Sequence, residues 1–383
     1  MTGAVQRLRI LADDLTGALD CAAAFGAGAP VHLGRPASPE APGLDLVATA
    51  TRDVPVADLP SLLAPCVPWL RGADLAFKKV DSLLRGNTFD EADHLARAAG
   101  LRGLAFAPAF PAQGRLTEGG QQWWVKADGT RTAVAASIRE ALAARGWRVE
   151  TGATPPAPAM GDGLVAWVPD VRGDADMDAV AARAVDAGAG WLWCGSAGLA
   201  HALARRLPAA RPAGSAAPAS PASPDVRAAG DAGGPVMLVS ASHHPVSREQ
   251  WQVLRGSPRG GDCLHAEDPR TLARDARGYP PLVDLCASGR LSPGEAAQLL
   301  DAQARALAAH APRPRVLVVV GGDTLLALCR HLGATGLTSQ VPLDRPGWGC
   351  ARMVGGRWDG LVCHTRSGAF GGPRDLLEVV GSV

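Results

Sequence analysis

Ten residues in the first quarter of the chain, Lys78-Lys79-Val80-Asp81-Ser82-Leu83-Leu84-Arg85-Gly86-Asn87, bring together three cations, a carboxylate, a hydroxyl and an amide. An arginine can grip a carboxylate through two parallel hydrogen bonds, a lysine supplies a compact positive charge, and Asp, Ser and Asn side chains read hydroxyls. Lys79, Asp81, Ser82, Arg85, Gly86 and Asn87 therefore describe a site for a small, anionic, hydroxylated ligand. The competing reading is a solvated loop of salt bridges. A second concentration, Asp13-Asp14-Leu15-Thr16-Gly17, sets two carboxylates side by side. Such a pair can orient hydroxyls, hold a metal, or raise one pKa enough to create a proton acceptor near neutral pH. A helix cap at Asp14 or Thr16 accounts for one of these residues but not for both aspartates with Gly17.

Each cluster sits where an apolar strand hands over to a helix. Residues 8–12, 31–33, 44–50, 73–77, 104–106, 164–168 and 191–194 read as strands. Helical patterns follow at 58–70, 88–99, 133–145, 174–187 and 199–207. Alternation of this kind predicts an α/β fold with a mostly parallel sheet, whose strand ends converge on a ligand-binding crevice. The 44–50 strand ends in Thr49-Ala50-Thr51-Arg52-Asp53, and residues 107–115 form a rigid turn presenting Gln113 and Arg115.

Residues 208–234 are almost wholly Pro, Ala, Ser and Gly and predict a flexible linker. A second alternating unit follows, with strands at 236–239, 280–285, 316–320 and 361–365 and helices at 247–254, 294–309 and 325–332. Two glycine-rich turns stand out there: Gly321-Gly322-Asp323-Thr324 after an unbroken apolar strand, and Gly368-Ala369-Phe370-Gly371-Gly372. Glycines let a phosphate approach the backbone and a helix N-terminus favours negative charge. Asp323 or Thr324 can cap the helix, and Asp323 can meet a Mg²⁺ carried in with phosphates. Neither turn matches a standard nucleotide fingerprint, so phosphate binding and plain turns stand as equal readings.

The 383 residues allow two or three domains, and 47% hydrophobic with 20% charged residues suits a globular enzyme. A net charge of +1 argues against nucleic acid or a membrane surface as partner. Eight scattered cysteines without a C-x-x-C pair, and an N-terminus that enters a strand within ten residues, predict a reduced cytoplasmic protein.

Taken together, Ala12-Asp13-Asp14-Leu15-Thr16-Gly17-Ala18-Leu19-Asp20, the 78–87 segment, 107–115, Gly195-Ser196-Ala197-Gly198-Leu199-Ala200, Gly321 to Thr324 and Ser367 to Gly372 resemble the four-carbon acid sugar kinase family, in the same order and over nearly the whole chain. The resemblance implies a sugar-acid-binding domain at 1–207, a linker at 208–234, a nucleotide-binding domain at 235–383, and an active site in the cleft between them. It implies ATP-dependent phosphorylation, with Mg²⁺, of the 4-hydroxyl of threonate, erythronate or an oxo-tetronate. Thr16, Arg52, Lys79, Ser82, Arg85, Gly86 and Asn87 are then expected to hold the acid, with Asp14 first, or Asp13 or Asp81, as base. Ser240, Ser242, Gly321, Gly322, Asp323, Thr324, Gly368, Phe370, Gly371 and Gly372 are expected to hold ATP. Three departures stand against the family pattern: Ala48 replaces a carboxylate, Ala241 a glycine and Arg366 a lysine. The alternative function is a catalytically inactive sugar-acid and nucleotide sensor of the same fold. An exported interaction protein and a metal hydrolase built on His243-His244 are weaker rivals, and assembly as a homodimer is left open.

Overall fold

The computed structural model describes residues 5–38, 40, 42–126, 128–154, 163–207, 235–275, 282–341 and 347–383. The expected linker at 208–234 lies outside the described residues. The chain divides into two compact units, Met1–Ser215 and Ala216–Val383.

In chain order, the first unit holds β1 (Arg7–Ala12), α1 (Leu15–Ala24), β2 (Pro30–Leu33), β3 (Gly43–Ala48), α2 (Leu59–Leu63), α3 (Val67–Arg71), β4 (Leu75–Lys79), α4 (Thr88–Ala99) and β5 (Gly103–Ala107). It continues with β6 (Arg115–Glu118), β7 (Gln121–Val125), β8 (Arg131–Ser137), α5 (Ile138–Ala143), β9 (Arg148–Thr151), β10 (Val165–Val168), α6 (Asp174–Ala187), β11 (Trp191–Gly195) and α7 (Ala197–Arg206). The main sheet runs β2-β3-β1-β4-β11-β5-β10-β9, parallel throughout. Its central strands are buried on both faces, as a sheet covered by crossover helices requires. From β1 the chain first builds β2 and β3 on one side and then β4 on the other. The crevice beyond β1 is therefore a topological switch point. Register aligns Ala12 with both Ala48 and Lys79, and Lys79 with Gly195, so four strand ends lie abreast.

Two expectations need correction. The helix at 133–145 begins as a strand: β8 pairs antiparallel with β7 in a separate β6-β7-β8 sheet, and only α5, capped by Ser137, is helical. Pairing with a neighbour overrides the helical propensity of the alanines. The helix at 58–70 is broken into short pieces, because Pro60, Pro65 and Pro68 each enter a new first turn.

The second unit holds β12 (Val236–Ser240), α8 (Pro245–Arg255), β13 (Cys263–His265), α9 (Pro269–Asp275), β14 (Leu282–Asp284), α10 (Pro293–His310) and β15 (Val316–Val320). It ends with α11 (Gly322–Leu332), β16 (Gly336–Ser339), β17 (Gly349–Val354), β18 (Val362–Arg366) and α12 (Asp375–Ser382). Strands β13-β14-β12-β15-β18 are parallel, and β17 and β16 add antiparallel at the β18 side. Ser240, Val320 and Arg366 are aligned at the strand ends. The eight cysteines are free, and burial pushes thiols such as Cys66 up to about 12. Among the described residues no helix is long and apolar enough to cross a membrane.

Candidate active site

β1 delivers Asp13 and Asp14 to the switch point. Asp14 adopts extended backbone and caps α1, its Oδ1 accepting from Gly17 N at 3.0 Å. Arg52, four residues beyond β3, bridges both carboxylates: its Nε and Nη2 donate to Asp13 at 2.9 and 3.1 Å, and its Nη1 donates to Asp14 at 2.9 Å. Burial pushes Asp13 up, yet Lys78, Arg52 and Lys79 together hold its carboxyl below the usual range. Lys79 is buried beneath the start of α1. A Cβ on Gly17 would meet Asp14 Oδ1 at 2.4 Å and Lys79 Nζ at 2.7 Å, so only glycine lets lysine and carboxylate close on the helix. Burial pulls the Lys79 ammonium down, but Asp14, with Cys21, Asp13 and Asp20, raises it overall. Thr49 and Thr51 lock the end of β3, their hydroxyls 2.6 Å apart and Thr49 donating to the Ala12 carbonyl. Thr16 sits half-buried at the second position of α1.

Lys78 must be removed from the anion cluster. Neighbouring strand residues face opposite ways, and Lys78 turns toward α4, where it forms a buried ion pair with Glu91 at 2.8 Å. The following loop folds on itself. Asp81 accepts from Leu83 N at 3.0 Å and from Arg85 Nε and Nη2 at 2.9 and 2.7 Å. Burial pushes Asp81 up, but Arg85, then Arg52 and Lys79, hold it down at about 2. Gly86, at φ +74, lies where a Cβ would meet the Arg52 carbonyl at 2.6 Å. Asn87 donates its amide hydrogens to the carbonyls of Thr51 and Val54 and so binds the two strand-end loops together. Arg85 and Asn87, expected to reach toward a ligand, also bind the protein itself: Arg85 pairs with Asp81 while 64% of its side chain stays exposed, and Asn87 N donates to the Arg52 carbonyl. Ser82 is half-buried, its carbonyl held by the fully buried Gln122 of β7 at 2.9 Å. No spacing in the sequence marks Gln122 for this role. Arg115 lies over the Trp124 ring at 5.5 Å and donates to the Gln113 carbonyl. Ser196 caps α7 and donates to Ala109 at 2.6 Å, which fastens the 107–110 segment.

In the second unit, Gly321 adopts φ +109 as the cap of α11 and Gly321 N donates to the Arg366 carbonyl, so the two glycine-rich turns adjoin. The cap position of α11 is Gly321, which makes no side-chain cap bond, and Asp323 and Thr324 follow in the first turn of the helix. Its first turn holds Gly322, Asp323 and the buried Thr324, and its first N–H groups and positive dipole end are of the kind that favours an anion. A Cβ on Gly368 would fall 2.1 Å from Ser242 Oγ, which places the Ser240–Ser242 strand end against the second turn. Phe370, Gly371 and Gly372 are exposed on that turn. His243 Nδ1 lies 3.2 Å from Cys286 Sγ, and His244 Nδ1 accepts from Val246 N to cap α8.

Residues 8–143 match the family described as a sugar-binding N-terminal domain. A D-threonate kinase of Cupriavidus necator is 30% identical over 94% of each chain. The chain belongs to the four-carbon acid sugar kinase family. It is accordingly an enzyme of the kinase class. A D-threonate kinase of Bordetella bronchiseptica is also 30% identical, over 98% of this chain and 96% of its own. Two solved structures share the fold. One, described as a putative tRNA synthase from Salmonella typhimurium, has a TM-score of 0.69 at 19% identity and covers 97% of this chain and 98% of its own. The other, a Haemophilus influenzae protein of the DUF1537 family, has a TM-score of 0.61 at 17% identity over 98% and 100%. In the second unit, Gly321 at φ +109 and the start of α11 are the backbone features that suit a phosphate.

Proposed function

We propose that this kinase transfers the γ-phosphoryl group of ATP to the 4-hydroxyl of a four-carbon sugar acid in the cytoplasm, with threonate the first candidate. In this reading residues 1–207 bind the acid and 235–383 bind the nucleotide. The observation that carries it is the Asp13–Arg52–Asp14 clamp closed over Lys79 at the switch point. Asp81 is held too acidic by Arg85 to accept a proton, and Asp13 is buried and also held low. Asp14 keeps 17% of its side chain exposed and is the carboxylate placed to reach an acceptor hydroxyl. Lys79, Ser82 and Thr16 orient the acid, with Arg52, Arg85, Gly86 and Asn87 holding the frame around it. Phosphoryl transfer depends mostly on positioning and charge neutralisation, and the base acts late. The O4–Pγ bond forms as the bond from Pγ to the β,γ-bridging oxygen breaks, the hydroxyl proton passes to Asp14, and ADP leaves. Gly321, Gly322, Asp323 and Thr324, with the 368–372 turn and Ser240 and Ser242, would hold ATP, and Asp323 is the carboxylate that would meet Mg²⁺. That ion, when bound, neutralises charge on the phosphates.

A coupled ADP-release assay with MgATP against threonate, erythronate and oxo-tetronates tests the reading. Turnover with one acid supports it and names the substrate. Silence across the panel, with ATP still binding by calorimetry, overturns it in favour of a sensor.

A further inference from the structure

The turn Ser367-Gly368-Ala369-Phe370-Gly371-Gly372 is fastened from its buried side by a set of side chains that face away from solvent. Ser247 Oγ donates to the Gly368 carbonyl at 2.6 Å, and Gln250, one helical turn further along α8, donates through Nε2 to the carbonyls of Phe370 and Gly372 at 3.0 and 2.9 Å. Gln250 Oε1 in turn accepts from Arg366, whose Nη1 also donates to the carbonyls of Ser367, at 3.1 Å, and Phe370. The arginine is completed by Asp375 at 3.1 Å and by the Trp348 ring at 5.0 Å from its guanidinium carbon. Ser247 and Gln250 are fully buried and Arg366 is 1% exposed. Arg366, which replaces a lysine of the family pattern, therefore lies beneath the turn rather than on it.

Four carbonyls of one short turn are drawn inward by these donors. In a trans peptide the N–H of the next residue points opposite to the carbonyl. The inward carbonyls of Ser367, Gly368 and Phe370 thus send the N–H groups of Gly368, Ala369 and Gly371 outward, where among the described residues they donate to no protein acceptor. After Gly372 the next residue is Pro373, which has no N–H. Gly371 at φ +87 provides the left-handed step of an anion-binding nest, and a Cβ there would meet Asp375 Oδ2 at 2.6 Å. Taking this turn as the nucleotide-holding turn of the proposed function, we propose that Gln250 and Arg366 are positioning residues, which by drawing its carbonyls inward turn the N–H groups of Gly368, Ala369 and Gly371 toward the nucleotide. This rests on the kinase reading and extends it to residues that never touch the ligand.

Gln250→Glu keeps the size of the side chain and an acceptor for Arg366 but loses the donor to Phe370 and Gly372; Arg366→Lys keeps the charge but loses the fork. Steady-state kinetics at varied MgATP and varied acid, with thermal unfolding of each variant, read the effect. Both variants are expected to raise KM for MgATP about tenfold while KM for the acid and kcat change less than about twofold. Should Gln250→Glu fail to fold, Arg366→Lys carries the test alone. An unchanged KM for MgATP in the folded variants overturns the inference and leaves the kinase reading standing, and full nucleotide affinity in Arg366→Lys would show a phosphate-contacting cation instead. A wild-type chain that neither binds nor consumes ATP overturns both.

Discussion

Around the ends of β1, β3 and β4 charged side chains gather: Arg52 joins Asp13 to Asp14, Arg85 holds Asp81, and Lys79 and Asp14 both approach Gly17. Beyond β18 the arrangement is inverted. There the backbone turn lies over the charge: Arg366 is buried beneath it and pairs with the half-buried Asp375. In the proposed reaction the first region would discriminate hydroxyls and move a proton through its side chains, and the second would offer fixed dipoles to a phosphate, which needs no proton transfer and little discrimination. Sensitivity to mutation should differ accordingly: direct and chemical in the first, indirect and geometric in the second.

The sharpest test of the side-chain half is Asp14→Asn. Asparagine caps a helix as well as aspartate does, so the bond to Gly17 survives while the basic carboxylate and its bond from Arg52 Nη1 are lost. We expect kcat to fall about 10²–10⁴-fold with KM for MgATP unchanged in steady-state assays. A kcat near wild type would remove Asp14 from the chemistry. Next in size is Lys78→Met. It strands Glu91 in the core without a partner, and urea unfolding should show a loss of about 3–5 kcal/mol. Adding Glu91→Leu should restore most of that loss, which would separate a structural lysine from a ligand-binding one.

Arg52→Ala breaks the clamp and leaves two carboxylates facing each other. Acid kcat/KM is expected to fall about 10²–10³-fold, again without change in nucleotide affinity. The second region carries the remaining prediction. Burial holds His364 of β18 down at about 4. Between that value and its ordinary 6.5 the unfolded chain binds the proton and the folded chain refuses it, so stability is complete above about pH 6.5 and declines as pH falls toward 4. The loss is about 3 kcal/mol, and comparing unfolding of the wild type with His364→Asn across that range should show it. Equal pH slopes in the two proteins would refute it.

The alternation of apolar strands and helices was legible because each half-buried or buried element carries its own period, and the polar clusters at 13–17, 49–53, 78–87, 321–324 and 367–372 were legible because strand ends are where polar residues interrupt those periods. The stretch at 133–145 misled because alanine is compatible with either state and the decision came from β7. Partner choice was beyond reach for a related reason. Two adjacent lysines must face opposite sides of β4, yet nothing local says which one meets Glu91 and which approaches Gly17 at the start of α1. Arg52 finds Asp13 across 39 residues and Gln250 finds Phe370 across 120. The sequence by itself determined where strands end and which chemical groups arrive there, since those follow from backbone periodicity and residue type. Tertiary structure alone decided which charges neutralise each other and which stay open to a ligand, because that depends on distances between segments that only folding brings together.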